Sequence, residues 1–381
     1  MVWCVCMKKP KKGARAVSIL SDIFTTIQGY LFPLEKVLEA PLGEKGELFV
    51  KVVELSRPER FTDRFEWGGV GCPRKWRRPI LLAFIAKAVW NLSTTRALLD
   101  RLAHDPTLRR LCGWERVSDV PSESTFSRAF AEFARCELPQ QIHEAMIKAH
   151  LGEKLVGHIS RDSMAIENRE KAPPKPSADP KPKRRPGRPR KDQAPVAPRA
   201  PKRLEVQGRR TLAENLADLP RQCDHGAKKN SKGVTMYWRG YKFHLDSADG
   251  EIPVSAILTS ASLHDSQAAI PLAQMTGERV VNLYDLMDAA YYANAIADFS
   301  RGLGHVPIIE PKVRSDRPAP EMEPARRERY KERTTAERVN SDLKDNHGGT
   351  TLRVRGAAKV MAHLMLGVLV VAAKGLFALV E

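Results

Sequence analysis

The stretch Tyr330-Lys331-Glu332-Arg333-Thr334-Thr335-Ala336-Glu337-Arg338-Val339-Asn340-Ser341-Asp342-Leu343-Lys344 decides how the chain is read. It has no proline or glycine and many long side chains, which predicts a helix. Tyr330, Arg333, Glu337 and Lys344 follow one another at offsets of three, four and seven. At about 100° per residue the four fall in one stripe. Such a stripe is ordinarily apolar and faces a core. This one carries a phenol, a guanidinium, a carboxylate and an ammonium, so one acid stands among donors suited to phosphate. The plain alternative is a solvated face with an Arg–Glu pair at i,i+4, worth about 0.3 kcal/mol.

Composition narrows the choice. The 381 residues, 42% of them hydrophobic, leave room for two or three domains and a sizeable core. A formal net charge of +18 predicts an anionic partner, with nucleic acid ahead of a membrane surface. Cys4, Cys6, Cys72, Cys112, Cys136 and Cys223 form no CxxC pair and read as reduced cytosolic thiols, in keeping with an expected cytoplasmic location. They exclude a disulfide scaffold and a zinc ribbon. The apolar start, Met1 to Met7, precedes the basic residues and is too short for a secretory signal. Ala357 to Val380 is very apolar, but Lys359, His363 and Lys374 interrupt it. That pattern predicts a buried core helix and no membrane span.

Working outward, residues 1–77 form a partly irregular N-terminal region. Residues 78–152 read as a small all-α domain of DNA-binding type. Pro79 to Trp90 is its buried helix, Ser93 the expected cap of a second, and Val120-Pro121-Ser122 the turn into a third. Either a helix-turn-helix-like unit or an ordinary small bundle satisfies that pattern. Residues 153–381 alternate between strands and helices, predicting an α/β domain with a mixed sheet. Its strands are Leu155 to Ser160, the hairpin Met236 to Leu245 with Ile252 to Thr259, Val280 to Tyr284 and Val306 to Ile309. A basic, proline-rich insert at 171–210 interrupts it, too poor in apolar residues to offset its ordering entropy. The insert centres on Lys183-Arg184-Arg185-Pro186-Gly187-Arg188-Pro189-Arg190-Lys191. This resembles an AT-hook, in which arginines such as Arg185, Arg188 and Arg190 enter an A·T-rich minor groove. A nonspecific polycationic linker is the other reading, and both give salt-dependent DNA affinity.

Two further acids stand out by position. Asp162 follows the strand ending at Arg161, and Asp288 follows the strand at 280–284. With Glu337 arriving from a helix, three carboxylates would repel unless cations were present. Hard oxygen donors without a Cys or His cluster favour Mg²⁺, or Mn²⁺ in its place. Two such ions can activate a nucleophile and stabilise a leaving oxygen at a phosphodiester. Asp246, Asp249, Asp265 and Asp285 read instead as caps and turn formers, with His264-Asp265-Ser266 as a cap for the helix beginning there.

The order Asp162, Asp288, Glu337, with Glu337 inside Tyr-x2-Arg-x3-Glu-x6-Lys, resembles the bacterial insertion-sequence DDE transposases that bear the YREK signature. Arg161-Asp162-Ser163, Trp238-Arg239-Gly240-Tyr241-Lys242-Phe243-His244, Leu263-His264-Asp265-Ser266, Asp288-Ala289-Ala290-Tyr291 and Leu352-Arg353-Val354-Arg355-Gly356 agree with it. So does the helical region Ile80 to Phe133. The resemblance implies a ribonuclease H-like sheet flanked by helices, behind the small all-α domain. It implies metal-dependent cleavage at transposon ends and joining of the 3′-hydroxyl to target DNA, by a chain dimeric on double-stranded DNA. Asp162, Asp288 and Glu337 would then be catalytic and hold the metals. Tyr330, Arg333, Lys344 and Lys242 would contact DNA. The interval from Asp288 to Glu337 is too short for the large β insertion some of these enzymes carry. The alternatives are a non-catalytic, domesticated DNA-binding protein or a nuclease of the same fold.

Overall fold

The computed structural model describes residues 42–65, 75–174, 201–229, 233–312, 321–350 and 352–379. The arginines of the AT-hook-like centre, Arg185, Arg188 and Arg190, lie outside them, as do Cys4, Cys6 and Cys72.

Among the described residues six α-helices precede the sheet: α1 (Glu44–Ser56), α2 (Arg77–Val89), α3 (Thr95–His104), α4 (Pro106–Leu111), α5 (Glu123–Arg135) and α6 (Leu138–Leu151). Helix α2 is buried along its whole length from Pro79 to Val89, as its continuous apolar run requires. Thr94 caps α3, its hydroxyl accepting from the Ala97 N–H, so Ser93 is not the cap. Helix α1 was not expected from the sequence. Its Phe49 and Val52 are buried, and Phe49 meets the Trp90 ring at 6.0 Å. Phe84 gathers Phe126, Phe130 and Phe133 around it.

The sheet contains β1 (Leu155–Glu167), β2 (Asp224–Lys229), β3 (Thr235–Ala248), β4 (Ile252–Ser260), β5 (Val281–Met287) and β6 (Val306–Ile309). Strand β3 pairs antiparallel with β1 on one side and with β4 on the other. Gly240 pairs with both Glu167 and Asp224, so β2 continues the line of β4 along the far side of β3. Beyond β1 come β5 and β6, both parallel. A three-strand antiparallel meander joined to two parallel strands is the mixed sheet that the resemblance to a ribonuclease H-like fold implies. Gly240 sits at φ +151°, and a Cβ there would collide with the Ile166 carbonyl oxygen, so only glycine lets β3 lie this close to β1.

Helices cover both faces. Alternate residues Met164 and Ile166 of β1, Phe243 and Leu245 of β3, and Ala256 and Leu258 of β4 bury against α12 (Thr334–Asn346) and α13 (Ala357–Ala378). The opposite face carries α9 (Ser266–Gly277) and α10 (Asn294–Gly302). Short helices α7 (Arg203–Gln207) and α8 (Leu212–Asp218) precede β2, and α11 (Pro324–Tyr330) precedes α12. The presence of α7 corrects the insert read at 171–210, whose last residues are helical.

By length and composition α13 could cross a membrane, but 78% of its most apolar window is buried within the protein. It is shared between the sheet and the first helices: Leu366, Leu369, Val370 and Leu376 join the same core as Phe49, Ile80 and Phe126. Asn91 Nδ2 donates to the Asp345 carbonyl, and His347 Nδ1 donates to that of Ala88, stitching the two regions together.

Candidate active site

Strand β1 is longer than the apolar pattern suggests, and Asp162 lies inside it rather than after it. The parallel ladder between β1 and β5 ends with Arg161 opposite Met287. Asp162 is the next residue of β1 and Asp288 the first residue after β5, so two acids distant in sequence stand side by side at the end of the ladder. Asp162 Oδ2 accepts from Asn340 Nδ2 of α12 at 2.9 Å. Asp288 accepts the Ala290 N–H at 2.9 Å, which fixes the turn leaving β5.

Burial raises the Asp162 carboxyl above its ordinary range, and the charge of Asp288 adds to that, against the pull of the Ser163 N–H, Lys228 and Arg333. Burial likewise raises Asp288, with Asp265 adding and the Ala290 N–H, Arg333 and Lys228 opposing. Each acid therefore disfavours its own negative charge, and the same two cations partly compensate both.

The decisive stretch is not one uninterrupted helix. Tyr330 closes α11, Lys331–Arg333 form a 3-10 turn, and α12 begins at Thr334. The side chains still associate: Arg333 Nη2 donates to Glu337 Oε1 at 2.5 Å, and its guanidinium lies 5.8 Å from the Tyr330 ring centroid. Half-burial works against the Arg333 charge, but Tyr330, Asp162, Glu337 and Asp288 hold it above its ordinary range. Tyr330 Oη donates to Glu310 Oε2 at 3.2 Å. Lys344 is half-buried, two helical turns beyond Glu337, and has no ion-pair partner among the described residues.

Lys242 is turned inward. Its ammonium donates to the Leu263 carbonyl at 2.7 Å and to Asp265 Oδ1 at 2.8 Å. The cap read at His264-Asp265-Ser266 is present: Asp265 occupies the N-cap position of α9, but the capping side chain is His264, whose Nδ1 accepts the Ser266 N–H. Asp246 and Asp285 are not turn formers. Both lie inside strands and are buried, Asp246 in a pair with Arg161 and Asp285 among Asn282, Ser300 and His305. Asp249 does lie in the turn between β3 and β4, but its carboxylate reaches across to β1, accepting the His158 N–H at 2.9 Å. Trp238 packs over Gly226 and donates from Nε1 to the Tyr241 carbonyl, as hairpin packing.

Two residues at the site escaped sequence reading. Lys228, exposed on β2, reaches both Asp162 and Asp288 electrostatically. Asn340 holds Asp162. Neither carries a local signal, although Asn340 lies three residues beyond Glu337, on the same side of the helix.

Among the described residues no three Asp, Glu, His or Cys side chains gather closely enough to hold a metal ion. The donor set nevertheless suits a hard divalent cation. Two buried-side carboxyls side by side resist their own charge, and the third is bound to Arg333, which stands in reach of both. All of them are oxygen donors, and a divalent ion would offset the charge that burial penalises.

Residues 205–372 match the family described as "Transposase DDE domain", and residues 41–132 match "Transposase domain (DUF772)". The first match includes Asp288 and Glu337 and begins after Asp162. The second includes α1, which the sequence reading left out. No curated protein and no solved structure matches the chain.

Proposed function

From a chain that carries a transposase DDE domain behind a second transposase domain, as insertion-sequence transposases do, we propose an enzyme that cuts transposon ends and joins the 3′-hydroxyl to target DNA. The observation that carries this is the side-by-side placement of Asp162 and Asp288 at the end of the parallel ladder, with Arg333 in reach of both.

Asp162, Asp288 and Glu337 are the residues to hold Mg²⁺, or Mn²⁺ in its place. When bound, the metal would supply nucleophile activation and stabilisation of the leaving oxygen at a phosphodiester. Asn340 orients Asp162. Arg333 presents a planar fork and Lys344 and Lys228 point charges to phosphate, with Tyr330 beside Arg333. Arg333 holds only Oε1 of Glu337, which leaves Oε2 for a metal, and release of Oε1 would free the guanidinium for DNA. Lys242 would reach DNA only by giving up Asp265. The first helices, read as a domain over 78–152, and the basic stretch with Arg185, Arg188 and Arg190 would add backbone affinity. The DNA complex would hold a homodimer in the cytoplasm, at the nucleoid.

The Arg333–Glu337 pair also favours a rival, a DNA-binding relative that does not cut, because it leaves the third acid already neutralised. Plasmid excision by Glu337→Gln and Asp288→Asn separates them. Loss of excision on the order of a hundredfold or more supports catalysis. Full excision in either variant sinks it, and cleavage without strand-transfer products leaves a nuclease.

A further inference from the structure

Where α2, the start of α3 and α5 meet the segment after α12, there is a cavity of about 550 Å³. That volume is within the range of ligand sites. It lies away from Asp162 and Asp288. Its charged lining is lopsided: Lys87, Arg353, Arg355 and Lys359 against Glu123. Glu123 is already met from outside by Arg96 at 3.5 Å. The four cations have no ion pair among the described residues. Ser93, Thr94, Thr95 and Ser127 add hydroxyls to the wall.

Lys87 is the informative member. It is 8% exposed and has no hydrogen-bond or ion-pair partner for its ammonium among the described residues. Its residue is buried but its ammonium lines the cavity, so the charge gives up much of its solvation without gaining an anion, which a structural role does not recover. Burial pushes it down to about 8, so it titrates just above neutral pH. Burial, with Lys87 beside it, pushes His363 down to about 3, so that neighbour is neutral. The remaining neighbour, His347, is lowered mainly by burial and donates to Ala88. The cavity therefore holds uncompensated positive charge on a rigid wall, an arrangement that an anion would complete.

We infer that this cavity is a second phosphodiester site, one that grips a backbone phosphate of bound DNA away from the three acids. It rests on the transposase reading for the identity of the anion. Its position between the two matched domains means that one strand held there is tied to both. Arg353 and Arg355 are exposed and stand at the mouth, suited to a passing backbone, while Lys87 closes the inner wall.

The experiment is the salt dependence of binding to a labelled DNA duplex, without divalent metal, in the Glu337→Gln background. Removing the metal and the third acid keeps the result independent of cleavage, so failure of one reading leaves the other standing. The double variant Arg353→Gln/Arg355→Gln is expected to flatten the slope of log K against log salt by about two. Lys359→Gln, should the double variant fold poorly, is expected to flatten it by about one. Lys87→Met is expected to lower the slope while raising the thermal midpoint of the free protein; a purely structural lysine would lower the midpoint and leave the slope alone. Unchanged slopes in folded variants overturn the proposal. So does displacement of the duplex by inorganic phosphate at constant ionic strength with wild-type slopes in the variants, which would make this a site for free anions.

Discussion

Two arginines near the acids are built in opposite ways. Arg161 is sealed: Nε donates to Asp246 Oδ1 at 2.8 Å and Nη2 to Oδ2 at 2.6 Å, at 2% and 0% side-chain exposure. Thr276 Oγ1 adds a third hydrogen bond to the carboxylate. Burial works against the Arg161 charge, but Asp246 outweighs it and holds the guanidinium above its ordinary range. Arg333 instead meets a Glu337 carboxylate that is 55% exposed, on the other face of the sheet, within reach of two uncomfortable acids. The sealed pair has nothing left to give a ligand. The open pair costs little to break, and breaking it frees an exposed carboxylate and a guanidinium. A sealed ion pair and an open cluster of acids thus stand on the two faces of one strand, at adjacent residues Arg161 and Asp162.

The largest effect should come from breaking the sealed pair. Asp246→Ala leaves Arg161 buried without its partner and is expected to cost about 3–5 kcal/mol in urea unfolding. A loss below about 1 kcal/mol would erase the distinction between the faces. Acid should attack the same side. His244 shares the Asp246 face of β3, and burial lowers it from 6.5 to about 4. The unfolded chain therefore binds a proton that the folded one resists. Stability is complete above pH 6.5 and is lost as pH falls toward 4, by up to about 3 kcal/mol from this group. His244→Gln should shrink the acid dependence measured by thermal unfolding across that window.

The open pair should respond in function and hardly in stability. Glu337→Gln is expected to shift the unfolding free energy by no more than about 0.5 kcal/mol. A larger loss would mean that Arg333–Glu337 is structural after all. The smallest effect belongs to Asp288→Asn, which removes a charge that burial and Asp265 disfavour while keeping an acceptor for Ala290. A rise of a degree or two in thermal midpoint is expected, the size that a few tenths of a kcal/mol produces. Mg²⁺ should raise the midpoint of the wild type and not of this variant; equal responses would place the metal elsewhere.

Much of the fold was legible in particular residues. The apolar run of α2, the alternation in Met236 to Leu245 and the turn at Asp249-Gly250 each encode a local element. The reading failed where a local pattern had two meanings. Asp246 and Asp285 look like turn acids because short polar residues favour turns, yet each is paired within the fold. The apolar run before Asp162 ended too early, because Arg161 and Ser163 interrupt an alternation that only buried partners sustain. Helix α1 was missed because its apolar residues are few and their value comes from Trp90 and the core around it.

What the sequence determined by itself is the main strands and helices of the sheet and of the first helical region, the excess of positive charge and the order of the acids along the chain. Tertiary structure alone decided that Asp162 and Asp288 are neighbours, that Lys228 reaches both, and that Lys87 shares a cavity with Arg353. The reason is physical. Local periodicity records which face of an element must leave water, whereas register between strands and contact between distant helices depend on the whole core closing at once.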